Sequence, residues 1–84
     1  METLIKFPLA TEKAIRMIES DNVMTFEVIR KARKEDIKKA VEMLYKVKVA
    51  KVNTAITPQG TKRAYVQLTA ETPAIDVATQ LGLI

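Results

Sequence analysis

The 84-residue sequence predicts an α+β fold in which a largely antiparallel sheet is packed with helices. Three segments have apolar residues at helical spacing, and four segments have the composition or the alternation of apolar and polar residues that is typical of strands. They follow one another in the order strand, helix, strand, helix, strand, strand, helix. Because each helix has one apolar stripe and each strand one apolar face, packing the helices on the sheet buries both.

The first strand and the first helix are short. Residues 3–7 form an apolar run that Pro8 closes, which predicts an edge strand because proline cannot donate to a strand ladder. Thr11 is a good N-cap residue, so a helix is predicted from there to about Ser20. Its apolar stripe consists of Ala14, Ile15, Met17 and Ile18.

A turn and a second strand come next. Asp21-Asn22 is a turn signal. After it, apolar residues alternate with polar ones over five positions, which predicts a strand with one buried face. The apolar positions are Met24, Phe26 and Val28, and Thr25 and Glu27 lie between them.

The second and third helices show clear amphipathic spacing. The second is predicted from Lys34 to Tyr45, with apolar residues at Ile37, Ala40, Val41, Leu44 and Tyr45. In the third, Thr72 is expected as the N-cap, Pro73 fits the first helical position, and Gly82 can end the helix in a left-handed cap. Its apolar stripe is Ala74, Val77, Ala78 and Leu81.

The stretch from Val47 to Thr69 predicts a hairpin around Pro58-Gln59-Gly60. In the second arm Ala64, Val66 and Leu68 share one face, and in the first arm Val52 is expected to share a face with Ala50, Thr54 and Ile56. The opposite, polar face, called the hairpin face below, would present Lys51, Asn53, Arg63, Tyr65 and Gln67. Cations, amides and an aromatic ring suit a nucleic-acid contact, but an ordinary solvated sheet face has the same pattern.

Charge and composition narrow the function. The segment from Arg30 to Lys51 holds nine basic and three acidic residues, a net charge of +6, which suits a polyanion or a solvated helix face. There is no Cys and no His, so thiolate chemistry, sulfur-bound zinc and histidine catalysis are excluded, and no cofactor is expected. No apolar span occurs, which predicts a soluble intracellular protein, and the lack of a glycine-rich phosphate loop argues against a nucleotide-hydrolysing or dinucleotide-binding site.

Four segments together resemble the universal large-subunit ribosomal protein family L23. They are residues 5–14 (IKFPLATEKA), 38–42 (KKAVE), 49–54 (VAKVNT) and 62–66 (KRAYV), and the resemblance runs from about Leu4 to Leu83. The short turn at Pro58 looks like the archaeal form of the family. The resemblance implies an α+β ribosomal protein without enzymatic activity, in cytoplasmic ribosomes. It would bind large-subunit ribosomal RNA beside the polypeptide exit, next to other ribosomal proteins.

The resemblance also implies individual roles. The residues expected to face RNA by family similarity are Lys6, Thr11, Lys13, Asn53, Thr54, Lys62, Arg63 and Tyr65, and the charge pattern adds Arg30, Lys31 and Lys51. Glu12 matches an acidic position at which family members bind a docking chaperone. The implied partners there are the signal recognition particle and nascent-chain chaperones, and no membrane insertion is expected.

Two other functions remain open at this stage. Residues 1–84 are expected to form a single ribosomal RNA-binding domain, but a free-standing α+β interaction module would have the same pattern. A small acylphosphatase-like enzyme is a third possibility, in which Arg63 and Asn53 would stabilise a phosphoryl group.

Overall fold

The structure is a computed structural model that describes residues 4–84, and it has the predicted order of elements. These are β1 (Ile5–Pro8), α1 (Glu12–Asp21), β2 (Val23–Val28), α2 (Lys34–Tyr45), β3 (Val49–Ile56), β4 (Lys62–Leu68) and α3 (Ala74–Gln80). The α+β prediction is therefore confirmed. Of the predicted first strand, Thr3 lies outside the described residues.

The four strands form one antiparallel sheet in the order β1-β2-β4-β3. The predicted hairpin is confirmed as β3 and β4, and β4 is central because it also pairs with β2. Across the three strands Thr25 lies opposite Tyr65, which lies opposite Asn53. This register decides which side chains share a face of the sheet.

Helices cover both faces of β2. On one face Phe26 stacks with Tyr45 of α2, with their ring centroids 5.4 Å apart. On the other face Thr25, which is only 3% exposed, borders a cavity together with residues of α1. The prediction of one buried face for β2 was wrong, because α1 and α2 pack on opposite sides of a central strand.

An irregularity in the first hairpin arm changes its alternation. The register between β3 and β4 shifts between Val49 and Lys51, so that Val49 and Val52 are both buried while Ala50 is exposed. The expectation that Ala50 shares the face of Val52 was wrong, because an extra residue in one strand reverses the alternation. From Lys51 onward the predicted alternation is intact.

Two leucines predicted to be buried are exposed. Leu44 is 56% exposed because α2 meets the sheet along the row Ile37, Val41 and Tyr45, four residues apart. Leu81 is 38% exposed because α3 ends one residue before it. The buried stripe of α2 is therefore narrower than the sequence predicted, and the buried stripe of α3 is shorter.

The start of α3 also differs from the prediction. Pro73, and not Thr72, is the N-cap residue, and it provides no side-chain cap. The backbone N–H of Ala74 instead donates to Oδ1 of Asn22 at 2.6 Å. A residue distant in sequence thus satisfies one of the free N–H groups that Thr72 was expected to cap.

Candidate nucleic-acid interface

The sheet register places the residues of the hairpin face next to one another. Asn53 lies opposite Tyr65, Lys51 opposite Gln67, and Arg63 opposite Ala55. Their side chains therefore share the face of the sheet that lies on the side of α1 and away from the α2 layer. Lys51, Asn53 and Gln67 are exposed, whereas Arg63 and Tyr65 are half-buried.

Helix α1 turns the edge of this face into a groove, called the α1 groove below. It has a volume of about 340 Å³ and is lined by Lys13, Met17, Val23, Lys51, Asn53, Tyr65 and Gln67. The sequence pattern missed Met17 and Val23 as lining residues, because only the placement of α1 over the sheet brings them there. In the described part of the chain, neither Lys13 nor Lys51 is in an ion pair.

A smaller cavity, called the Thr25 cavity below, lies next to the groove. Its volume is about 40 Å³, and Thr11, Lys13, Thr25, Arg63 and Tyr65 supply its polar lining. Within residues 4–84, the buried Oγ1 of Thr25 and Nε of Arg63 have no hydrogen-bond partner. Nearly all buried polar atoms in proteins are hydrogen-bonded, so such a pair in one cavity requires an explanation. No sequence pattern singles out Thr25, which alternation alone marks as an ordinary strand residue.

Other predicted residues lie elsewhere on the molecule. Lys62 and Thr54 lie on the α2 side of the sheet, because they alternate with Arg63 and Asn53. The ammonium of Lys62 donates to the backbone oxygens of Ala32 at 2.7 Å and Arg30 at 3.3 Å. Lys62 therefore tethers the loop before α2, and it does not join the hairpin face.

Three further predicted cations, Arg30, Lys31 and Lys6, are exposed. Arg30 and Lys31 are exposed on the tethered loop. Lys6 lies on the edge strand β1, where its ammonium is 3.8 Å from the carboxylate of Glu27. The structure thus spreads the predicted cations over the hairpin face, the loop before α2 and the edge of the sheet.

The start of α1 shows the predicted cap. The hydroxyl of Thr11 accepts a hydrogen bond from the backbone N–H of Ala14 at 3.2 Å, which confirms Thr11 as the N-cap. Glu12 follows it with a side chain that is 90% exposed and lies 3.4 Å from the guanidinium of Arg16. Its carboxylate is therefore available at the surface.

Residues 4–84 contain neither a metal-binding cluster of acidic, His or Cys side chains nor a membrane-spanning helix. No cluster of three or more Asp, Glu, His or Cys residues there has an arrangement that could hold a metal ion. None of the helices in that range has the length and the apolar composition needed to cross a membrane.

Comparisons with known proteins agree with the resemblance noted in the sequence. A family model described as "Ribosomal protein L23" matches residues 3–75. The large ribosomal subunit protein uL23 of Trypanosoma brucei brucei is 48% identical over 81 residues, which are 96% of this chain and 49% of that relative. The chain therefore spans about half the length of this relative. Because this relative is eukaryotic, the archaeal form suggested by the short turn at Pro58 stays a prediction.

Proposed function

Because this chain belongs to the ribosomal protein L23 family, a family of structural components of the large ribosomal subunit, we propose that its hairpin face binds large-subunit ribosomal RNA. The same membership assigns it to the cytoplasmic ribosome. A structural ribosomal protein is not an enzyme, so the acylphosphatase-like alternative is removed. A component of the large ribosomal subunit is also not a free-standing interaction module, so that alternative is removed as well.

The observation that carries the proposal is the clustering of the hairpin face beside α1. Lys13 and Lys51 border one groove together with an aromatic ring and two amides. Lysines attract phosphates without regard to sequence, whereas an aromatic ring and amides contact bases. The face thus combines the two kinds of contact that RNA recognition needs.

A charge-matched pair of double variants tests the proposal. Lys13→Ala with Lys51→Ala removes two cations from the face, whereas Lys38→Ala with Lys39→Ala removes two from the exposed side of α2. We expect the first variant to lower the slope of log K against log salt for deproteinised large-subunit ribosomal RNA by roughly 1.4 to 1.8. Filter binding across a salt series measures this slope.

The control decides whether location or total charge matters. The α2 variant should bind with nearly the wild-type slope, because its lysines lie in the layer on the other side of the sheet. An equal loss in both variants would mean that net charge, and not the hairpin face, governs binding.

We also propose that the chain lies near the polypeptide exit and that Glu12 contributes to docking of the signal recognition particle and nascent-chain chaperones. The support is family similarity together with the exposed carboxylate at the start of α1. Glu12→Lys should weaken binding of purified signal recognition particle to reconstituted ribosomes and leave ribosomal RNA binding intact. Glu19→Lys, the same charge change later in α1, is the matched control, and equal docking by both variants would refute the role of Glu12.

A further inference from the structure

The Thr25 cavity and the α1 groove are neighbours, and Lys13, Met17 and Tyr65 line both. The cavity is small and polar, whereas the groove is larger and has an aromatic wall. We propose that the two together bind one unpaired RNA nucleotide, with its phosphate at the Thr25 cavity and its base in the α1 groove. This inference rests on the proposed RNA-binding function and adds to it the form of RNA that is bound.

The lining of the Thr25 cavity suits a phosphate oxygen. Its charged members are Lys13 and Arg63, and its other polar groups are hydroxyls. The Nε–H of Arg63 is a buried donor without a partner among the described residues, and the Oγ1 of Thr25 can donate as well. Each of these two atoms exposes less than 1 Å² of surface, so a phosphate oxygen drawn in by Lys13 and Arg63 accepts from them once the Arg63 side chain shifts.

The carboxylate of Glu27 forms an ion pair with Lys6 and not with Arg63. Glu27 lies opposite Arg63 in the sheet register, but its carboxylate is 3.8 Å from the ammonium of Lys6. Arg63 is not within ion-pair distance of an acidic group in the described part of the chain. Its positive charge is therefore left for a ligand.

Cavity size separates the two roles. A water molecule needs about 10–15 Å³, so the Thr25 cavity of about 40 Å³ has room for a few atoms of a phosphate group. The α1 groove, with about 340 Å³, has room for a nucleobase. The larger groove with its aromatic wall therefore suits the base, and the smaller cavity with its two cations suits the phosphate.

The α1 groove has the groups that contact an unpaired base. The ring of Tyr65 provides a stacking surface, and base stacking on aromatic residues is a common mode of single-strand recognition. The amides of Asn53 and Gln67 can hydrogen-bond to base edges, and Met17 adds an apolar contact. In a duplex, stacking and pairing hide the faces and edges of the bases, so this groove favours an extruded nucleotide.

Tyrosine fluorescence tests the base site directly. The chain has two tyrosines and no tryptophan, so in the Tyr45→Phe background tyrosine fluorescence comes from Tyr65 alone. The variant keeps the aromatic ring that stacks on Phe26. We expect single-stranded oligouridine or oligoadenosine to quench this fluorescence in a saturable manner, and an RNA duplex of equal length to leave it nearly unchanged. Equal quenching by duplex and single strand, or none by either, would overturn the proposal.

The Thr25→Val variant tests the phosphate site. It removes a buried hydroxyl that lacks a partner, so the melting temperature should stay the same or rise, while the affinity for the single strand should fall roughly threefold to tenfold. Thr79→Val is the control, because the Thr79 hydroxyl donates to the backbone oxygen of Ile75 on α3, away from the groove. Wild-type affinity in Thr25→Val would show that the cavity does not receive the phosphate.

The experiments separate this inference from the function on which it rests. If large-subunit ribosomal RNA does not bind the wild-type protein in the salt series, the proposed function fails, and this inference fails with it. If that RNA binds but duplex and single-stranded oligomers compete equally for the protein, only the nucleotide site fails.

Discussion

At the scale of single residues, Asn22 makes the largest number of long-range polar contacts. Its amide nitrogen donates to the backbone oxygens of Leu68, Thr69 and Thr72, each at 3.1 Å, while its oxygen accepts from the N–H of Ala74. Its backbone has a φ of 58°, which Asn tolerates better than most residues. The sequence predicted a turn at this position, but all four partners come from the far end of the chain, and local patterns cannot reveal them.

Asn22→Ala should destabilise the fold by about 2–4 kcal/mol, because it leaves several partly buried backbone groups without partners and adds backbone strain. Asn22→Gly removes the same contacts but relieves the positive φ. Urea unfolding of both variants separates the two contributions. A loss below about 0.5 kcal/mol in both would show that the amide contacts contribute little.

Titration of Tyr45 should make the stability of the fold depend on pH in the alkaline range. Burial raises the pKa of its phenol above the usual value of 10.0, so the folded protein holds this proton more tightly than the unfolded chain. Stability should therefore be at its full value below about pH 10 and fall as the pH rises past the unfolded pKa. Urea midpoints should fall less steeply in this range for Tyr45→Phe. Identical curves for the two proteins would contradict the assignment.

At the scale of elements, the two ends of α3 show which signals are local. Gly82 has a φ of 77°, its N–H donates to the oxygen of Thr79, and the N–H of Leu83 donates to the oxygen of Ala78. This is a Schellman cap, so the predicted left-handed end is confirmed. The helix start was mispredicted because its cap comes from Asn22, in the turn before β2. A cap formed by neighbouring residues can be predicted from sequence, whereas one formed across the fold cannot.

Gly82→Ala should cost about 1 kcal/mol through backbone strain alone, because a Cβ there would meet no atom within 4 Å. Gly82→Asn should cost less, since Asn adopts the left-handed conformation more readily. Thermal unfolding of the two variants gives the comparison. Equal stability of Gly82→Ala and the wild type would argue against the cap as a source of stability.

At the scale of the whole molecule, the sheet lies between α1 on one side and α2 on the other. The amphipathic patterns predicted every element and the β3–β4 pairing, but they do not encode the face on which each helix packs. The hairpin face was predicted from alternation, whereas the α1 groove and the Thr25 cavity depend on the position of Lys13 and Met17 above β4. The residue types on the hairpin face could thus be predicted from sequence, whereas the groove and the cavity beside it could not.

The order β1-β2-β4-β3 predicts a gradient of local stability. Amides in β2 and β4 should exchange with solvent most slowly, because these strands are paired on both sides and lie within the core. Amides in β1, a four-residue edge strand with a register shift, should exchange by local fraying. Hydrogen exchange followed by NMR measures both, and protection of β1 equal to that of β4 would contradict the gradient.

The α1 groove joins an early and a late part of the chain, since Lys13 of α1 and Tyr65 of β4 both line it. During synthesis, the helix leaves the ribosome well before β4 does. The nascent protein therefore lacks a complete α1 groove until most of its sequence has been translated and folded. Incomplete or misfolded copies lack this groove, so the RNA binding that we propose for it would select finished molecules.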